Sequence, residues 1–375
     1  QPRTTAMIAG RSTARGAAML ALALATAACS GGKPTDAPSG GPVDEPTMGA
    51  PVDDLMKQAQ DLFKPIPLNP PKLAGIDATP ALVALGRMLY FEPRLSASHA
   101  IACASCHSVG LGGADNRATS VGHHWQLGGR NAPTVLNAGY NFAQFWDGRA
   151  KDLFEQAGGP VINPVEMASP PEHIAEQLRS LPGYAAYFAK AFPGDGDPIR
   201  PENVQKAIAA FEATLTTPNA PFDRYLRGDA KALDAAQTAG LKLFIDKGCA
   251  ACHGGVNMGG AMYAKFGVQA DPGAQHRPAG DLGRFTVTKD EADRYAYKVP
   301  TLRNIALTAP YFHAGSAWDL SEAVQVMGKA QLGVDLTPAE NASIVAFLGT
   351  LTGDQPQVAF PVLPASGPKT TRPEN

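Results

Sequence analysis

Two short runs carry most of the chemistry this chain could do: Cys103-Ala-Ser-Cys106-His107 and Cys249-Ala-Ala-Cys252-His253. Two cysteines three apart on one turn can reach the two vinyl groups of a porphyrin as thioethers. The histidine behind them then sets a neutral imidazole under the iron. A zinc ribbon spaces its cysteine pairs roughly 15–20 residues apart, far closer than Cys106 and Cys249. Neither a ribbon nor a dithiol redox pair needs a histidine after both pairs. The spacing therefore predicts two covalently attached c-type haems, with His107 and His253 as proximal ligands.

The sixth position of each iron decides what such a haem does. Two strong protein ligands make an electron carrier, whereas an open or removable ligand lets peroxide or oxygen bind. Met327 follows His253 by about one domain length. A thioether there would raise the reduction potential, and a core methionine is the plainer alternative. The first half offers His123, His124, Glu166 and Met167. Glu166 is either a solvated carboxylate or an acid/base group held over the haem. His123 is a candidate sixth ligand, and His124 beside it takes the blander reading. His99, His173 and His276 lie in polar loops or at helix starts and read as solvated.

The elements that must position these residues read as helices. Thr79 caps a helix that starts at Pro80, with Leu82, Leu85 and Leu89 on one face. A second opens near Ser169 with Ile174, Leu178 and Leu181, and a third at Pro201 with Val204, Ile208, Phe211 and Leu215. Asp234 and Gln237 make a capping box before Leu241, Phe244 and Ile245, and Gly248 ends that helix. Thr337-Pro338-Ala-Glu340 caps the last one, whose Ile344, Phe347, Leu348 and Leu351 share a face. No run alternates like a strand, so the class is mainly α with long loops and little β structure. The two halves align at Gly86 with Gly240, at Gly112-Gly113 with Gly259-Gly260, and at Pro133–Asn137 with Pro300–Asn304. Trp146 then aligns with His313. The chain reads as a duplicated, cytochrome c-like haem domain.

Composition agrees with a globular, loop-rich chain: 375 residues, 44% hydrophobic and 18% charged, with 39 Gly and 33 Pro. The net charge of −2 and the absence of a basic stripe argue against a nucleic-acid partner. Arg11 and Arg15 flank a short apolar run, Gly16 to Ala28, which reads as an export signal over 1–28. Thr26-Ala-Ala-Cys29 resembles a lipoprotein cleavage site, with Cys29 as the lipid-anchor residue, and residues 30–50 read as a tether. Either form of cleavage places the chain in the periplasm.

The stretches Cys103–His107, Gly122-His-His-Trp-Gln126, Arg130-Asn-Ala-Pro-Thr134, Gln144-Phe-Trp-Asp-Gly-Arg149, Asn163-Pro-Val-Glu-Met167 and Thr308-Ala-Pro-Tyr-Phe-His313 resemble the bacterial dihaem cytochrome c peroxidases. The resemblance runs from about residue 75 to 365. It implies a tether and N-terminal segment over 29–68, a peroxidatic haem domain over 69–216 and an electron-transfer haem domain over 217–354. A C-terminal extension, 355–375, is expected to pack back on the first domain. It further implies that His123 is a removable ligand, Glu166 the distal acid/base and Gln156 its hydrogen-bonding neighbour. Trp146 would lie between the haems, Met327 would bind the second iron, and Asn131, Thr308 and Pro310 would hold calcium. Hydrogen peroxide is the implied substrate, a small cytochrome c or cupredoxin the donor, and a homodimer the assembly. Two rivals remain. A related oxidase that matures a tryptophan-derived cofactor carries tyrosine where this chain has Met327. A non-catalytic dihaem electron carrier or redox sensor is the other, and it would have no use for Glu166 and Gln156.

Overall fold

The computed structural model describes residues 54–374. The signal at 1–28, Cys29 and the stretch 30–50 lie outside the described residues. The first helix, α1 (Asp54–Leu62), falls in the segment read as preceding the first domain. Its Met56 and Ala59, with Phe63 just beyond, pack against Phe222, Phe244 and Phe347.

The expected capped helix is α2 (Pro80–Tyr90): the Thr79 hydroxyl accepts the Leu82 N–H at 3.2 Å, and Leu82, Leu85 and Leu89 are buried. The first haem motif forms a single turn, α3 (Cys103–Cys106). After a long loop come α4 (Leu153–Ile162), α5 (Pro171–Arg179), α6 (Tyr184–Ala191) and α7 (Pro201–Glu212). Leu85, Leu89, Leu178, Tyr184, Phe188 and Ile208 share one core among them.

The second half begins with α8 (Pro221–Leu226) and α9 (Ala235–Asp246). Asp234 and Gln237 close their capping box at 2.8 and 2.9 Å, and Gly248, at φ 94°, stops the chain just before the second motif. Strand β1 (Tyr263–Lys265), the turn α10 (Phe285–Thr288) and strand β2 (Ala296–Lys298) follow. The two strands pair antiparallel, Tyr263 opposite Lys298. Then α11 (Leu320–Met327) leads to α12 (Pro338–Gly349), capped reciprocally by Thr337 and Glu340.

The duplication is visible in three dimensions. Helix α2 crosses α7 at Gly86, where an added Cβ would strike the Ala207 carbonyl and lie 2.9 Å from Phe211 Cβ. Helix α9 crosses α12 at Gly240, where it would strike the Ser343 carbonyl and lie 2.8 Å from Phe347 Cβ. Asn137 and Asn304, aligned in sequence, both sit at φ 60°. Both amides donate to one hydroxyl, that of Thr217, at 2.7 and 2.9 Å.

Helices α1, α4, α6, α8 and α11 are not among those expected from the sequence. Nor is His276 solvated: it is 3% exposed, with its Nδ1 2.8 Å from the Ser316 hydroxyl. At the C-terminal end, Arg94 donates to the Pro364 carbonyl at 2.8 Å and to Ser366 at 3.0 Å, and the Glu374 N–H reaches the Ala97 carbonyl.

Candidate functional site

Each Cys-x-x-Cys-His turn opens onto its own cavity. The first, about 800 Å³, is lined by Cys106, His107, Trp146, Gln156 and Glu166, within the roughly 300–1,000 Å³ of ordinary cofactor and ligand pockets. The second, narrower at about 230 Å³, is lined by Cys249, Cys252, His253 and Met327. No three His, Cys, Asp or Glu side chains converge on a shared metal position among the described residues, so the cysteine pairs do not build a zinc site. Burial raises the Cys103 thiol and pushes Cys249 up to about 11. A dithiol redox pair would need the opposite shift.

Both histidines are prepared for iron. The His107 Nδ1 lies 3.1 Å from the Pro133 carbonyl, and the His253 Nδ1 3.1 Å from the Met258 carbonyl. A carbonyl can only accept, so each Nδ1 carries the proton and Nε2 is left as the ligand atom. Burial lowers both pKa values, His253 to about 4, which keeps the rings neutral. The residues present therefore fit a covalent haem at each motif: thiols for the thioethers, a neutral imidazole and an adjoining cavity.

Beyond the proximal histidines the cavities differ. Helix α4 and the turn after it bring Gln156 and Glu166 to the first. The Glu166 carboxylate accepts from Asn163 Nδ2 at 2.7 Å. Burial raises its pKa, opposed by Arg149 and by that hydrogen bond. His123 is buried but lies outside the cavity lining. Its backbone N–H donates to the Glu166 carbonyl at 2.8 Å, its ring stacks on exposed His124 at 3.7 Å, and its Nδ1 has no partner. In the second cavity Met327, at the end of α11, stands on the wall with His253 and packs beside Phe266 and Tyr297.

Trp146 and His313 line both cavities. The indole N–H donates to the Asn131 carbonyl at 2.9 Å, the Asn131 N–H donates to the His313 carbonyl at 2.8 Å, and the two rings meet edge to face. His313 also stacks on Tyr297 at 4.1 Å. Asn131, Thr308 and Pro310 are together on the wall of the second cavity.

Five side chains escaped sequence reasoning. Arg130 grips Asp281 through two bonds of 2.6 Å and Asp147 at 2.8 Å, bracing the wall that carries Trp146. Glu212 is buried on the first cavity and Lys298 on the second. Arg130 and Asp147 lie inside the quoted motifs and could have been noticed. Nothing local marks Asp281, Glu212 or Lys298.

The comparisons agree with this geometry. The model of the family "Di-haem cytochrome c peroxidase" matches residues 80–231, and that of "Cytochrome c" matches 237–352. The chain is 55% identical to cytochrome c551 peroxidase of Pseudomonas aeruginosa, over 85% of this chain and 92% of that one. It is 37% identical to methylamine utilization protein MauG of Methylorubrum extorquens, over 76% of this chain and 82% of that one. A crystal structure of a MauG-like protein associated with microbial copper homeostasis superposes with a TM-score of 0.70 at 29% identity, covering 84% of this chain and 98% of the other. Identity above one half across most of the chain, with a family model seated on the first haem motif and a cytochrome c model on the second, shows that this chain belongs to the di-haem cytochrome c peroxidases and is a peroxidase.

Proposed function

We propose that this peroxidase reduces hydrogen peroxide to water in the periplasm, with single electrons from a small cytochrome c or cupredoxin. The observation that carries the reading is the asymmetry of the cavities: a buried carboxyl, Glu166, on the wall of the first, and a thioether, Met327, on the same wall as His253 in the second. When bound, the first haem supplies the iron that meets peroxide, and the second supplies a reservoir for one electron. Every other step falls to the chain. His107 and His253 present Nε2 because their Nδ1 protons are committed to carbonyls. Glu166, its pKa raised by burial, can accept a proton from one peroxide oxygen and return it to the other, so that water can leave. Asn163 orients that carboxylate and Gln156 adds an amide beside it. His123 lies outside the cavity wall, as a withdrawn ligand would, and its return would close the first cavity. Trp146 fills the wall across which electrons pass.

Calcium at Asn131, Thr308 and Pro310 belongs to the same reading. The Asn131 amide nitrogen is committed to the Arg117 carbonyl at 2.8 Å, which would leave its side-chain oxygen as the atom for a hard cation. Activity unchanged after exhaustive chelation would remove calcium from the mechanism. The exported location rests on the signal-like start and on the haem attachment itself, and cell fractionation tests it.

A steady-state assay with peroxide and a reduced cytochrome tests the whole. Turnover by the two-haem protein is expected. A two-haem protein that accepts electrons and leaves peroxide untouched would favour the electron-carrier reading instead.

A further inference from the structure

The second cavity has an uneven charge. Lys298 is the only lysine, arginine, aspartate or glutamate on its wall among the described residues. The side chain is 6% exposed, and its ammonium makes no ion pair or hydrogen bond with any described residue. The strand is held in place around it: the Lys298 N–H donates to the Trp146 carbonyl at 2.7 Å, and Tyr263 pairs with it across β1. Burial, with no carboxylate to oppose it, pushes the lysine pKa down to about 8.

An unpaired ammonium in an apolar wall is expensive, so a fold that keeps one normally meets an anion there. A porphyrin of the kind the cysteines attach carries two propionate side chains. The internal repeat sharpens the point. Lys298 stands two residues before Pro300, and its counterpart two residues before Pro133 is Asn131, which is neutral. The first cavity draws its cations from Arg130 and Arg149 instead, both of which bond to Asp147. The lone buried cation is specific to the second site.

We infer that Lys298 seats a propionate of the second haem and, by neutralising it, keeps that haem easy to reduce. The inference rests on the two-haem reading. An unpaired propionate beside the haem favours the ferric state, so loss of the lysine should make the second haem harder to reduce and leave the first unchanged.

Spectroelectrochemical titration of the holoprotein tests this with Lys298→Met and Lys298→Arg. The Met variant should hold its electron at least tenfold less well at a fixed potential, which for a one-electron couple is a fall of about 59 mV. The Arg variant, which keeps the charge, should stay within about threefold of the parent, a margin well inside one tenfold step. A second haem in Lys298→Met that titrates with the parent would overturn the inference. Should the Met variant lose a haem by pyridine haemochrome assay, two haems retained in the Arg variant would support a required cation. One haem in both variants would mean that the lysine's shape matters and its charge does not. A parent with a single haem would defeat the two-haem reading itself, and that is measured before any variant is compared.

Discussion

Glu166 and Glu212 are two carboxyls on one cavity with different company. Glu166 accepts from Asn163 and feels Arg149, so it can exchange a proton at a cost the site controls. An amide keeps its size and cannot carry the proton. Glu166→Gln should therefore lose about 10²–10⁴-fold in peroxide turnover, with both haem spectra and reduction of the second haem intact. Turnover at the parent rate would make Glu166 a solvated carboxylate. The Glu212 carboxyl makes no hydrogen bond or ion pair with any described residue, and burial pushes it from 4.5 to about 8. The sign follows from linkage. Between those values the unfolded chain releases the proton and the folded one keeps it, so stability falls as pH rises, by at most about 1.4 kcal/mol per unit. Melting temperature should drop between pH 5 and pH 8, and Glu212→Gln should flatten that slope. Equal slopes in parent and variant would assign the pH dependence to other groups.

Elements meet here by backbone approach at two glycines. At Gly86 and Gly240 a methyl group would press on the carbonyl of the facing helix, and a helix backbone cannot step aside as a side chain can. Gly86→Ala or Gly240→Ala should each cost about 1–3 kcal/mol, the usual range for overpacking. Gly349, at the end of α12, has open space where its Cβ would be. Gly349→Ala should be neutral or stabilising by about 0.5–1 kcal/mol. Denaturant midpoints of the three variants separate packing from propensity: equal effects at Gly86 and Gly349 would mean the crossing tolerates a side chain.

At the scale of the whole molecule, one hydroxyl ties the equivalent asparagines of the two repeats together. Thr217 accepts from Asn137 of the first half and Asn304 of the second, and its own N–H donates to Asn137 Oδ1 at 2.9 Å. Thr217→Val keeps the shape and strands two buried amides, each costing about 1–3 kcal/mol. Thr217→Ser keeps the oxygen and should restore most of that loss. If Val and Ser variants melt together, the Thr217 hydroxyl contributes nothing to the junction.

Some of this was legible in the chain because it is written locally. A Cys-x-x-Cys-His turn, a capping box at Asp234 and Gln237, and proline at a first helical position each depend on residues within one turn. Their readings therefore survive any tertiary context. The repeat was legible for the same reason, since Trp146 and His313 each stand nine residues beyond Asn137 and Asn304. Helix α4, which brings Gln156 to the first cavity, was not. Gly158, Gly159 and Pro160 in its last turns hide its period, and burial of Leu153, Ala157 and Val161 overrides their low propensity. Strands of three residues are too short to alternate visibly. Which side chains reach a cavity is a property of distant segments packed together. Only the fold buried Lys298 and Glu212 with no ion pair to any described residue, carried Met327 to the cavity that His253 lines, and left His123 outside the first cavity.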